Sequence, residues 1–174
     1  MSKFLRSALF LFLILFFASL RTNTNGFPDW FISAFKANGL DKKYELSSFL
    51  KPAYLQSDFN GDSHQDIAAL VIEKKNKKKG ILLIEGKILN YFIFGAGTNF
   101  GDGSDDFKWA TDWSLYNKKY ADETTFDKKS GDILGSKKIN LSRPGILIED
   151  TENSFAGVII YWNGKKYIGI HQGE

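Results

Sequence analysis

In the segment Asp58-Phe59-Asn60-Gly61-Asp62-Ser63-His64-Gln65-Asp66, oxygen-bearing side chains stand at alternate positions. Asp58, Asn60, Asp62 and Asp66 take places 1, 3, 5 and 9 of that run. A hard cation such as Ca²⁺ needs roughly six to eight oxygens around a tight backbone, and this alternation turns side chains toward one centre. His64, at place 7, would offer its backbone carbonyl rather than its ring. The expected metal set is therefore Asp58, Asn60, Asp62, His64 and Asp66, with Ca²⁺ as a structural ion. An EF-hand is excluded, because Ala69 stands where a bidentate Glu is needed and Ser63 where a Gly is needed. The competing reading is an Asx-rich turn that holds no ion, since Asp, Asn and Gly are ordinary turn residues.

Other residue groups carry weaker chemistry. Gly95 to Asp106 combines four glycines with Asp102, Asp105 and Asp106. It lacks the Lys-Ser/Thr of a phosphate loop and the spacing of a dinucleotide fingerprint, so it reads as a flexible turn. Asp105, Asp106 and Asp112 beside Trp109 and Trp113 could imitate a sugar site, but nothing in the spacing defines a catalytic carboxylate pair. The lysines at 74–79 read as a solvated hairpin tip that discourages edge pairing. His171 has no Ser or Asp partner at a recognisable spacing. The chain has no Cys and two His, which removes disulfides, Cys-ligated zinc and thiol nucleophiles. No catalytic residue and no organic cofactor is expected; the chain reads as a non-enzyme.

The oxygen-rich loop runs straight into the apolar stretch Ile67–Ile72. This arrangement resembles the calcium loops of FG-GAP and VCBS-type repeats in exported bacterial and integrin-like proteins, which run Asp-x-Asn/Asp-Gly-Asp-Gly-x-x-Asp before an apolar strand. The resemblance covers about residues 57–72. Asp58, Asn60, Asp62 and Asp66 match the pattern, and Ser63 replaces its usual Gly. In those families the repeat builds a β-propeller blade, but a single copy does not imply a propeller here. The resemblance implies a bound Ca²⁺ that braces the loop.

The elements that must position this loop are mostly strands. Ile67–Ile72, Ile81–Ile84 and Leu89–Phe94 form a three-stranded antiparallel meander, with lysines and Gly80 at its first turn. Gly157–Trp162 and Tyr167–Ile170 enclose Asn163-Gly164, which favours a two-residue type I′ turn and hence a C-terminal hairpin. Ile146–Ile148, after Pro144-Gly145, is a further strand. One short helix over Pro28–Asn38 has Gly39 at its end and packs through Trp30 and Phe35. Gly95 to Gly135 is left as a long connection, in which Trp109, Trp113 and Tyr116 fit either a helix or a strand. The fold class expected is mainly β with a short N-terminal helix (α+β).

Residues 1–26 have the parts of a secretory signal: Lys3 and Arg6, the unbroken apolar run Ala8–Ala18, then the polar stretch Arg21–Gly26. That run is short for a membrane span, which takes about 20 apolar residues. The expected organisation is a signal peptide over 1–26 and one β-rich domain over 27–174, secreted or held in the periplasm or cell envelope. The chain has 23 Lys and Arg against 20 Asp and Glu. Lys3, Arg6 and Arg21 supply the whole excess, so the exported part is neutral, which argues against a nucleic-acid partner. Two roles fit: a calcium-braced interaction module for a protein or glycan partner, or an inhibitor or immunity-type protein that blocks a hydrolase with the Gly95–Asp106 loop.

Overall fold

The structure is a computed structural model that describes residues 26–101, 104–127, 129–154 and 156–173. The expected leader up to Asn25, and Asp102 and Gly103 of the glycine-rich connection, lie outside the described residues.

Among the described residues two short helices come first, α1 (Asp29–Ala37) and α2 (Leu40–Lys43). Eleven strands follow: β1 (Tyr44–Leu46), β2 (Tyr54–Ser57), β3 (Asp66–Glu73), β4 (Lys79–Ile84), β5 (Tyr91–Gly95), β6 (Asp112–Tyr116), β7 (Tyr120–Phe126), β8 (Ile133–Asn140), β9 (Gly145–Glu149), β10 (Gly157–Trp162) and β11 (Tyr167–Gln172). Every pairing between them is antiparallel. The first sheet runs β3-β4-β5, with β1 and β2 sharing the outer edge of β3. The second has the order β11-β10-β9-β6, and β7 and β8 form a separate two-stranded arm. The mainly β class, the meander (β3-β4-β5), the C-terminal hairpin (β10-β11) and the N-terminal helix are all present.

Three apolar layers hold these parts together. α1 covers one face of the first sheet, with Phe31, Ala34 and Phe35 buried against Ile67, Ala69, Val71, Leu82 and Ile84. Phe27, Phe31 and Phe35 stack with centroids 5.0 and 6.5 Å apart, so Phe31 rather than the half-buried Trp30 centres this contact. The opposite face of the first sheet meets the second sheet across Ala68, Leu70, Ile81, Leu83, Trp113, Ile146, Ile148 and Ile160. A third cluster under the β7-β8 arm joins Ala121 and Leu141 to Ile159, Tyr161 and Ile170. β3 and β4 are therefore covered on both faces, which is why their sequences are unbroken apolar runs rather than alternating ones.

Two expectations change. The stretch from Gly95 to Gly135 is not one connection: it contains β6, β7 and the start of β8. The tip of the C-terminal hairpin is also longer than two residues, because the last pair is Trp162↔Tyr167. Asn163 Oδ1 accepts from the Lys165 and Lys166 N–H groups at 3.0 Å each, so an Asx turn spreads the reversal over four residues.

Candidate functional site

The Asp58–Asp66 run is the loop between β2 and β3, and the pair Ser57↔Asp66 closes its base. Gly61 and Ser63 both take left-handed backbone, with φ of 81° and 69°. These two residues curl the loop tightly enough for its side chains to turn back on its own N–H groups. Asp58 Oδ1 accepts from Gly61 N at 2.7 Å and Asp62 N at 3.0 Å, and its Oδ2 accepts from Ser63 N at 2.8 Å. Asn60 Oδ1 accepts from Asp62 N at 3.0 Å, and Asp62 Oδ1 from His64 N at 2.9 Å. The His64 ring lies back over Asp62, with Nδ1 at 3.0 Å from the Asp62 carbonyl oxygen. Slight burial would raise the Asp62 carboxyl, but the His64 N–H, the Asn60 side chain, the His64 ring and Lys87 together hold it below the usual range.

Asp66 differs from the other loop residues in being completely buried. Its Oδ2 accepts from Phe59 N and its Oδ1 from Gly86 N, both at 2.9 Å. Burial nevertheless dominates and pushes this carboxyl up to about 6, with the nearby Asp62 charge adding in the same direction. Gly86 reaches Asp66 because it has no side chain: a Cβ there would lie 2.1 Å from the Gln65 carbonyl oxygen. On the loop's outer side, the Arg143 guanidinium rests against Gly61, where a Cβ would meet Arg143 Nε at 2.9 Å. Arg143 Nε is buried with no hydrogen-bond partner among the described residues.

The donor chemistry suits a hard cation, since carboxylates, an amide oxygen and a backbone carbonyl sit in one loop. An ionised carboxylate has about four lone-pair sites, so the three N–H groups on Asp58 do not saturate it. The convergence is incomplete, however. Among the described residues no three His, Asp or Glu side chains gather at a common point that could hold a metal ion. The structure thus brings Asp58, Asn60, Asp62, His64 and Asp66 into one closed loop, with the side-chain oxygens of Asp58, Asn60, Asp62 and Asp66 directed at backbone N–H groups.

Residues the sequence left apart also reach this end of the fold. Glu85 follows β4 directly and is 3 % exposed; Tyr167 opens β11 and donates from its hydroxyl to Glu85 Oε1 over 3.5 Å. Burial, then the charges of Glu85, Asp66 and Asp58, drive the Tyr167 hydroxyl far above its ordinary value. No spacing signal links Glu85 or Tyr167 to the loop, because both come from strands distant in sequence.

The other sequence features have structural partners. Lys78 forms an ion pair with Asp105, and Asp106 Oδ1 accepts from Lys79 N and Lys108 N at 3.0 and 3.1 Å. The described part of the Gly95–Asp106 connection is thereby tied to the β3-β4 turn, so it is less free than a flexible turn. Lys74 Nζ donates to the Asp41 carbonyl oxygen at 2.6 Å and Lys79 lies over the Phe49 ring, so the lysine run is partly engaged rather than simply solvated. Trp113 is buried and unavailable for stacking on a sugar. His171 meets the Phe126 ring edge-on at 5.0 Å. Two open clefts of ≈490 and ≈480 Å³, around Phe27–Ala53 and Ile88–Phe92, include no residue of the Asp58–Asp66 loop in their walls.

A second Asx-centred loop joins β9 to β10. Asp150 Oδ1 accepts from Glu152 N, Asn153 N and Asn153 Nδ2, and Oδ2 accepts from Ser154 N and Ser154 Oγ, all at 3.1 Å. Burial opposes the charge, but these bonds outweigh it and hold the carboxyl at about 2. A folded value below the unfolded one, about 3.9, adds stability that is complete above pH 4 or so and is lost as pH falls toward 2. Thermal midpoints across that interval should fall less steeply for Asp150→Asn, which has no proton to gain, than for the parent. Parallel acid limbs would show that this carboxyl is not linked to folding.

No protein-family model matches the chain, and no curated protein or solved structure is significantly similar to it.

Proposed function

We propose that this chain is an exported interaction module whose Asp58–Asp66 loop takes up one Ca²⁺ as a structural brace between β2 and β3. The observation that carries this reading is the loop itself. Four oxygen-bearing side chains in one nine-residue segment, Gly61 and Ser63 in left-handed backbone, and a base closed by Ser57↔Asp66 give a tightly curled loop that favours this reading. Asp58, Asn60, Asp62 and Asp66 would supply side-chain oxygens and His64 its carbonyl, with water completing the shell. Because the carboxylates must first turn from backbone N–H groups, affinity is modest, on the order of 10⁻⁴ to 10⁻³ M as in extracellular modules.

Export is inferred from the three-part pattern of residues 1–26, and the partner is a protein or a glycan. Among the described residues no helix is long and apolar enough to cross a membrane. The inhibitor reading is the weaker one, because a loop used as a plug should project freely, whereas Lys78 and Lys79 tether Asp105 and Asp106. Isothermal titration of the exported protein with CaCl₂ is expected to give one site per chain, with Mg²⁺ binding poorly because it demands a smaller octahedral cage. Absence of calcium heat or saturation up to tens of millimolar would refute the brace. Intact mass of natively expressed protein should show removal up to about Gly26; a full-length product in the cytoplasm would refute export.

A further inference from the structure

We infer that the corner formed by α2 and the β3-β4 turn is a peripheral docking surface for an anionic lipid bilayer; this does not depend on the calcium reading above. From residue 27 onward the acids and bases of the chain balance, so a local excess can come only from their arrangement. The fold makes one. Glu73 N donates to the Lys78 carbonyl oxygen at 2.8 Å and Lys77 N to that of Glu73 at 2.9 Å, which closes Lys74-Lys75-Asn76-Lys77 into a tight turn. α2 is fastened beside it from 33 residues upstream: Lys74 N donates to the Lys43 carbonyl oxygen at 2.9 Å, and Lys74 Nζ to that of Asp41 at 2.6 Å. Lys42, Lys43, Lys74, Lys75 and Lys77 are all exposed at this corner.

The neighbouring acids do not cancel them. Glu73 is buried beneath the turn, where it accepts from Asn76 Nδ2 at 3.0 Å and lies 3.8 Å from Lys43 Nζ. Glu45 lies 3.9 Å from Lys77 Nζ, and Asp105 pairs with Lys78. Lys42, Lys74 and Lys75 form no ion pair with a described residue, and the oxygen that Lys74 meets is a neutral carbonyl. Asp41 is the one further acid, so six lysines stand against four acids.

The residue types select the partner. Protein interfaces enrich aromatic side chains and Arg at their centre and are depleted in Lys, and this corner has lysines and no Arg. Sugars and nucleic-acid bases are held by stacking on open rings. Here Tyr44 is buried and Lys79 lies over the Phe49 ring. The two clefts around Phe27–Ala53 and Ile88–Phe92 include none of these lysines in their walls. Long, mobile point charges on a projecting turn recognise charge density rather than shape. A bilayer rich in phosphate headgroups presents such a density over an area, and each nearby lysine strengthens binding roughly fivefold.

Co-sedimentation of the exported protein with vesicles tests this, in EDTA throughout so that no divalent ion bridges lipid and loop. Binding is expected to equal-part phosphatidylglycerol and phosphatidylcholine vesicles at low salt, with none to phosphatidylcholine alone. It should vanish in about 1 M NaCl, where the screening length falls to about 3 Å. Lys42→Gln/Lys74→Gln/Lys75→Gln should weaken it on the order of a hundredfold. Lys137→Gln/Lys138→Gln should leave it within about twofold, because those lysines pair across the arm with Glu123 and Asp122 and lie outside the corner. If the triple variant melts lower than the parent, Lys42→Gln/Lys75→Gln decides, since neither side chain has a partner among the described residues. Equal binding to both vesicle types, or equal losses in the corner and arm variants, would overturn the inference. So would retention on a heparin column without vesicle binding, which would give the corner to an acidic polysaccharide.

Discussion

Calcium at a hundredfold above its dissociation constant is expected to stabilise the wild type by about 2.7 kcal/mol, the linkage value for one site on the folded state. For a chain of this size that corresponds to a rise in melting point of roughly 5–10 °C. Asp62→Ala should remove most of the rise. In the calcium-free protein the change should be small, because the Asp62 carboxylate holds the His64 N–H at an exposed position and little else. The backbone curl rests on Asp58, whose three accepted bonds the substitution leaves intact. Thermal melts of both proteins in calcium, magnesium and EDTA test this. Equal midpoints in calcium and EDTA for the wild type would reduce the segment to an Asx-rich turn.

The largest loss of stability is expected from the middle layer. Trp113 is 1 % exposed between the two sheets, and its Nε1–H donates to the Pro52 carbonyl oxygen at 2.8 Å. Trp113→Ala should cost about 3–5 kcal/mol, from lost burial, a residual cavity and an unpaired acceptor. Phe31→Ala, on the other face of the first sheet, should cost a similar amount and should add to it, since the two sites share no partners. Urea unfolding with an unchanged m-value measures both losses. A change under about 1 kcal/mol at Trp113 would mean that the two sheets are not held together by this core.

What the sequence disclosed follows from burial. β3 and β4 are covered on both faces, so their apolar runs stand out without any periodicity, and α1 has a capped C-terminal end and a packed face. β8 is exposed along nearly its whole length, and β7 is mixed. Residues such as Asp122, Glu123, Lys137 and Lys138 therefore leave no period-2 signal, although they pair across the arm. The same physics divides the candidate site. Asp58 to Asp66 are close in sequence and their spacing is their chemistry. Glu85 and Tyr167 meet over a separation of 82 residues, through the packing of one sheet on the other. Arg143 reaches Gly61 from the β8-β9 connection, which no local pattern foretells.

The uneven cover of the strands has a consequence in time. Amide protons of β3 and β4, sealed under α1 on one side and the second sheet on the other, exchange with solvent only when the whole structure opens. The β7-β8 arm adds its few buried contacts at Ala121 and Ile139, while its turn around Lys129–Asp132 stands in water. That turn opens on its own, long before the sandwich does. A protease would meet the arm first, and a single cut there would leave both sheets, the helix and the Asp58–Asp66 loop joined. The turn of the arm is thus the part of the fold that can be lengthened or replaced without disturbing the strands that hold Asp66 in place.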